Sequence, residues 1–221
     1  AGHAVLQMLL PDSDPLHKVT ILPRGQSLGA TFSLPEKDRY GYGLKWLRAT
    51  MRVVCGGRIA EKRKTDDMSS GAAMDIEQLT TLARSMVLEW GMSDKLGFVR
   101  YTSPDSQEQY HAEREYSEET AQLIDEEVRR YANDAYADAE KMIDEHWDGV
   151  VNVAEALLKY ETLTAEEVQQ LMNGERIDKP SVSDLLDAEM RRKEQKESER
   201  ATEGKRDEDE GFDPGMVPSP A

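Results

Sequence analysis

The sequence predicts a mainly α fold with a small β-sheet and a C-terminal region of bundled helices, on three observations. Long stretches repeat apolar residues at helical spacing, only HKVTILPRGQSLGATFSLP has the composition of paired strands, and apolar content falls away after Pro180. Residues 1–177 therefore read as one domain and 178–221 as a charged, largely disordered tail with almost nothing to bury.

The opening AGHAVLQMLLPDSDP places Val5, Leu6, Met8, Leu9 and Leu10 in a run dense enough for a helix lying in a core, stopped at Pro11. Two short strands are expected next, Val19 to Leu22 and Gly29 to Leu34, joined by a turn around Arg24-Gly25, with Pro23 limiting the first to an edge-compatible end. Leu44, Leu47, Met51, Val54, Cys55 and Ile59 recur at helical spacing, predicting a helix to about Glu61. Gly56-Gly57 inside it costs about 1 kcal/mol per glycine relative to alanine, so the pair implies a very close backbone approach. A further helix starts near Ser70, with Ile76, Leu79, Leu82, Ala83, Met86, Val87 and Trp90 as its apolar face and Gly91 as its C-cap. FVRYT, residues 98–102, reads as a short strand, and SPDSQEQYHAERE as a mobile polar loop.

From Ser117 the helical pattern is strong. Ile124, Val128, Tyr131, Ala135, Ala139, Met142 and Ile143 make one face of a helix running toward Trp147, with Glu118 and Glu119 suited to its first turn. A second helix has Val150, Val151, Ala154, Leu157 and Leu158 on its core side. Thr164 and Glu167 have capping-box spacing, so a third should run from Ala165 to Met172 and end at Gly174. The short connections favour antiparallel packing. In the tail, one charged helix is expected up to about Arg200.

The chain has 44 acidic side chains against 28 basic ones, a formal charge of -16, which repels a phosphate backbone and argues against nucleic acid as a partner. Cys55 is the only cysteine, which excludes an intrachain disulfide and a four-thiolate zinc site and suits a reducing compartment. No run approaches the roughly 18 apolar residues of a membrane span and no signal peptide opens the chain, so it reads as soluble, with any membrane segment lying outside it. No GxxxxGK[ST] stretch is present, so this chain is not expected to bind or hydrolyse ATP.

Two residues could carry chemistry. His3, beside alanine and glycine near a helix start, is ordinarily structural or solvent-facing. Its sharper reading is the second histidine of His-Glu-x-x-His, where residues four apart share a helix face and meet one zinc; this chain starts at x-x-His. Asp75, in SSGAAMDIEQ, is ordinarily a carboxylate stabilised by the amide end of its helix. Its sharper reading is a third zinc ligand, since catalytic zinc uses three protein ligands and keeps one position for water. Small neighbours Gly71, Ala72 and Ala73 would let that helix start press against the His3 helix, although spacing alone does not join them. His17, His111 and His146 form no metal-spaced cluster, Cys55 reads as a small buried hydrophobe, and Asp66-Asp67 as a solvated loop.

AGHAV, DPLHKVTILPRGQSLGATFSLPE, CGGRIAE, SSGAAMDIEQLTTLARSMV, WGMSDKLG and KYETLTAEEVQQLMNG stand in the order found in the FtsH-type AAA+ ATP-dependent zinc metalloproteases, which residues 1 to about 176 resemble. The resemblance implies a helical metalloprotease domain in which His3 is the second histidine of HEAGH and Asp75 the third ligand of Zn2+. The first ligand and the general-base glutamate would then lie before residue 1, and the 221 residues alone should be inactive. It further implies that Val19, Thr20, Ile21, Leu22, Gly29, Ala30 and Thr31 belong to the substrate-binding part, where an extended peptide pairs with strand backbone. Gly56-Gly57-Arg58 and Glu61 match a family motif read here as helix packing.

For the parent protein, the resemblance implies an ATPase domain using ATP and Mg2+, a membrane anchor, and a homo-oligomer, a hexamer. Its location would be the bacterial inner membrane with the protease facing the cytoplasm, and its substrates unfolded or unassembled membrane and cytosolic proteins in protein quality control. Two other readings stand beside it. One is a proteolytically inactive homologue acting as an oligomeric scaffold or chaperone subunit. The other is an acidic helical interaction module, which leaves the ordered motifs as coincidence.

Overall fold

Two helices that touch through glycine organise the amino-terminal half. A computed structural model describes residues 1–23, 29–34, 41–102, 116–193 and 195–196. Helix α1 spans Gly2–Leu9, with Val5 and Leu6 wholly buried, and ends before Pro11 as its composition requires. Helix α2, Leu44–Thr65, continues a turn beyond the expected Glu61. Lys62, Arg63 and Lys64 in that turn suit the negative end of the helix dipole, and Asp66 closes it in the left-handed conformation. A Cβ built on Gly56 would lie 2.8 Å from the Gly2 carbonyl carbon, so glycine is what lets α1 and α2 meet backbone to backbone.

Strands β1 (Leu16–Thr20), β2 (Ala30–Ser33) and β3 (Thr162–Thr164) form an antiparallel sheet in the order β2-β1-β3, with Thr20 opposite both Ala30 and Thr162. β1 begins earlier than the expected Val19 and ends before Ile21, so Pro23 lies outside it and β1 is the central strand rather than an edge. The turn expected around Arg24-Gly25 and the loop expected at 103–115 lie outside the described residues. Residues 98–102 are not a strand. The Tyr101 N–H donates to the Leu88 carbonyl at 2.8 Å and Phe98 is 98% exposed, so the segment's hydrogen bonding goes to a helix end. Its expected place in a sheet is taken by β3, fastened by Ile21 N–H to the Glu161 carbonyl and by the paired hydroxyls of Thr20 and Thr162.

A 3-10 turn at Ser70–Ala72 leads into α3, Ala73–Arg84, which continues as a π-helical turn, Ser85–Glu89. That turn holds an extra residue and rotates the helix end beyond it. Met86 and Val87 stay buried while Trp90 turns partly outward, and Ile76 at the other end is half exposed, so neither belongs to the expected core face. Gly91, with φ +60°, does close the helix.

Helices α4 (Glu118–Glu145), α5 (Trp147–Tyr160) and α6 (Ala165–Met172) follow the predicted order. Ser117 caps α4, and Thr164 and Glu167 form the capping box of α6, which ends before Gly174 with φ +78°. The buried face of α5 is Val150, Val153, Ala156 and Leu157 rather than one containing Val151, Ala154 and Leu158; Leu158 is 78% exposed.

One core joins α1, β1, β3, α5 and α6 through Leu6, Val19, Val153, Leu163 and Val168, and a second joins α2, α3 and α4 through Leu47, Met51, Met86 and Tyr131. Cys55 and Ile59 of α2 enter the first core, so α2 spans both. Each fully buried large side chain contributes about 1.5–3 kcal/mol.

A polar cluster fastens the 91–97 segment to α4. The carboxylate of Glu127, only 1% exposed, accepts hydrogen bonds from Ser93 Oγ at 2.7 Å and from Arg130 Nε and Nη2 at 3.0 and 2.8 Å, with Lys95 Nζ 3.2 Å away. The Arg130 guanidinium outweighs burial, and with Ser93 and Lys95 it holds this carboxyl down to about 2. Beside it the Tyr131 hydroxyl donates to the Met92 carbonyl.

The chain divides into two compact units, Ala1–Ile177 and Asp178–Ala221. In the second, residues 182–193 are helical and start at a reciprocal cap between Ser181 and Asp184. Among the described residues no helix is long and apolar enough to cross a membrane.

Candidate functional site

His3 owes its position to the glycine before it. With Gly2 pressed on Gly56, the His3 ring lies across α2, and Nδ1 is 2.8 Å from the Val53 carbonyl oxygen. A carbonyl can only accept, so Nδ1 carries a proton in this contact, and in the neutral imidazole the lone pair is then the one on Nε2. Nε2 lies 3.4 Å from Asp75 Oδ2, and the two side chains are 31% and 32% exposed, so both face solvent rather than the core.

Asp75 sits in the first turn of α3. Ser69 accepts the Gly71 N–H and opens the 3-10 turn, Ala72 is buried, and Arg58 on α2 donates to the Ser69 carbonyl at 3.2 Å. Arg58 thus ties α2 to the turn that delivers the carboxylate. The small residues before Asp75 were expected to let α3 press against the His3 helix; instead α3 packs on α2, with Ala72 buried and Gly71 and Ala73 exposed, and α2 is what brings the two side chains together.

Histidine nitrogen and carboxylate oxygen are donors that zinc accepts, and two ligands each about 2.0–2.1 Å from a tetrahedral ion stand about 3.3 Å apart. The observed 3.4 Å separation fits. Among the described residues no group of three or more His, Cys, Asp or Glu side chains could hold a metal.

The pair lies on the wall of a cavity of about 440 Å³ whose other lining includes Gln7, Asp14, Gly29, Thr31, Ser33, Trp46 and Gln78. Of the expected substrate-binding residues, Gly29 and Thr31 reach it. Val19, Thr20, Ile21, Leu22 and Ala30 do not line it; Val19 and Thr20 are buried in β1 between its two partner strands. Gln7, which sequence reasoning missed, is buried and donates to Ser33 Oγ at 2.6 Å and to the Asp14 carbonyl at 2.7 Å, fixing β2 to α1. The signal was available: Gln7 lies four residues after His3, on the same face of an otherwise apolar helix.

The other candidates add no ligand to the pair, Cys55 lying close to Asp75 but buried. Burial, and secondarily the charge of Asp75, pushes the Cys55 thiol up to about 12, so it stays protonated. Asp66 and Asp67 form the turn that ends α2, with Asp67 Oδ1 accepting the Met68 N–H. His146 Nδ1 contacts the Met142 carbonyl, His17 is exposed, and His111 lies outside the described residues.

A family model described as Peptidase family M41 matches residues 1–171. Over 184 residues the chain is 46% identical to an ATP-dependent zinc metalloprotease FtsH 2 of Methylacidiphilum infernorum, covering 81% of this chain and 29% of the relative. It is 43% identical over 187 residues to an ATP-dependent zinc metalloprotease FtsH of Thermobaculum terrenum, with 82% and 29% covered. The like-named protein of Protochlamydia amoebophila is 46% identical over 177 residues, with 78% and 19% covered. The chain thus spans less than a third of the length of these curated relatives.

Proposed function

The chain belongs to peptidase family M41, and on that premise we propose that it forms the peptidase part of an ATP-dependent zinc metalloendopeptidase. The observation that carries this reading is the His3–Asp75 pair, 3.4 Å apart and open to a cavity. Zinc bound there would acidify a coordinated water and polarise a scissile carbonyl. His3 presents Nε2 because Nδ1 is engaged by Val53, and Asp75 offers Oδ2 from the first turn of α3.

Catalytic zinc uses three protein ligands, so the remaining histidine, and the glutamate that takes the proton of the water, are assigned to residues outside the 221. The 221 residues alone then bind zinc weakly and do not cleave. The substrate is an extended, unfolded polypeptide laid along β2, the outer strand on the side of the cavity, where main-chain hydrogen bonds hold any sequence alike. β1 supports β2 from behind. In the parent protein, an ATPase domain using ATP and Mg2+, a membrane anchor and hexamer assembly would feed unfolded or unassembled proteins to this site. Its setting would be the bacterial inner membrane, with the peptidase facing the cytoplasm.

The test compares the 221-residue chain with the same chain preceded by His-Glu, assayed on unfolded casein with and without a zinc chelator. Chelator-sensitive cleavage gained only with His-Glu supports the proposal. No gain in a folded protein that has taken up zinc favours the inactive scaffold instead.

A further inference from the structure

Resting on the metalloprotease reading, we infer that Gly57 is a positioning residue for the metal pair: the side chain it lacks is the space in which His3 and Asp75 meet. The two adjacent glycines of α2 have different neighbours. A Cβ on Gly56 would meet main chain, the Gly2 carbonyl carbon at 2.8 Å and its oxygen at 2.9 Å, together with Leu6 Cδ1 at 2.9 Å. A Cβ on Gly57 would meet His3 Nε2 and, at 2.9 Å, His3 Cε1, with Asp75 Oδ2 at 3.3 Å.

Neither glycine has the positive φ seen at Gly91, Gly97 and Gly174, so backbone conformation does not demand glycine at either place. Both sit inside a helix, where alanine is the better former. Only the occupied space explains them, and it differs in kind. At Gly56 an added methyl meets backbone that cannot yield without separating α1 from α2. At Gly57 it meets the far ends of two side chains that can swing away. A methyl there would lift the imidazole from the Val53 carbonyl and open the Nε2–Oδ2 gap while leaving the helices packed. Gly56 therefore serves the fold, and Gly57 serves the ligands.

A double-substitution cycle on the metal-free 221-residue chain separates the two roles. Gly57→Ala is expected to raise the melting temperature more in a His3→Ala background than in the native sequence, because removing the ring relieves the tightest contacts, leaves only the 3.3 Å approach to Asp75 Oδ2, and lets the gain in helix propensity show. Gly56→Ala is expected to lower it in both backgrounds. Identical shifts for Gly57→Ala with and without the His3 ring overturn the inference, as does a Gly57→Ala chain that fails to fold in either background. In the full-length protein, Gly57→Ala is expected to weaken zinc binding at least tenfold, read as retained metal against a competing chelator. A native full-length protein that holds no zinc removes the metalloprotease premise, whereas native and Gly57→Ala proteins that hold it equally remove the inference alone.

Discussion

Asp75 and Glu127 are both helical carboxylates beside a basic or ionisable partner, and their surroundings are opposite. Glu127 is sealed, with Ser93, Arg130 and Lys95 supplying hydrogen and charge to both oxygens. Asp75 stands a third exposed, with His3 Nε2 3.4 Å away and an open cavity in front. A saturated carboxylate has nothing left to give and holds structure together; one facing a single histidine nitrogen at 3.4 Å beside an open cavity keeps bonding capacity. Burial and charge alone therefore do not mark a site, whereas residual bonding capacity does.

Substituting the ligand pair should separate the two carboxylates most clearly. In the full-length protein, His3→Ala or Asp75→Ala is expected to lower chelator-sensitive casein cleavage by more than about a hundredfold, beyond what losing an outer-shell partner costs. The melting temperature of the metal-free protein should hardly move. Unfolding of either variant in the absence of zinc would place Asp75 in the same class as Glu127.

Glu127→Ala should do the reverse. Removing a buried carboxylate leaves the Ser93 hydroxyl unsatisfied and the part-exposed Arg130 guanidinium to turn to solvent, at about 1–3 kcal/mol by chemical denaturation. Glu127→Gln keeps some hydrogen bonds and should cost less. These variants also bear on pH behaviour. The folded carboxyl lies near 2, below its ordinary value of about 4.5, so its contribution is complete above the ordinary value and is lost as pH falls toward 2. Stability measured from pH 6 down to 3 should fall more steeply in the native chain than in Glu127→Gln; parallel curves would mean that the cluster contributes nothing to acid sensitivity.

At the rim, Lys95 is 55% exposed, and Lys95→Ala should cost less than about 1 kcal/mol, with the difference shrinking in high salt. A larger loss would show that the cluster needs three donors rather than two.

Much of the fold was legible where short-range chemistry decides it. The run of α1, the face of α4 and the capping box at Thr164–Glu167 were written in spacing, and the close backbone contact expected of the glycine pair is found at Gly56. β3 was not, because three residues carry no periodicity and owe their conformation to β1. FVRYT misled for the converse reason: strand composition without a partner makes no strand. On α5 the core face is set by packing against α6 and the sheet, which spacing alone placed a residue off. His3 and Asp75 were each readable as candidates, but 72 positions separate them and only the packing of α1 and α3 on α2 brings them together. Gly57 was misassigned with Gly56 because adjacent identical residues look alike until their neighbours are known.

β1 pairs with a strand more than 140 residues later, and α2 packs lengthwise on α4, so the two halves of this unit are stitched across one another. A single backbone cut between residues 102 and 116 would leave two pieces still clasped by the sheet and by both cores. The two halves should therefore act as complementing fragments, checked by mixing residues 1–102 with 116–177 and reading recovered helicity, and the site depends on the first of them while its scaffold depends on both.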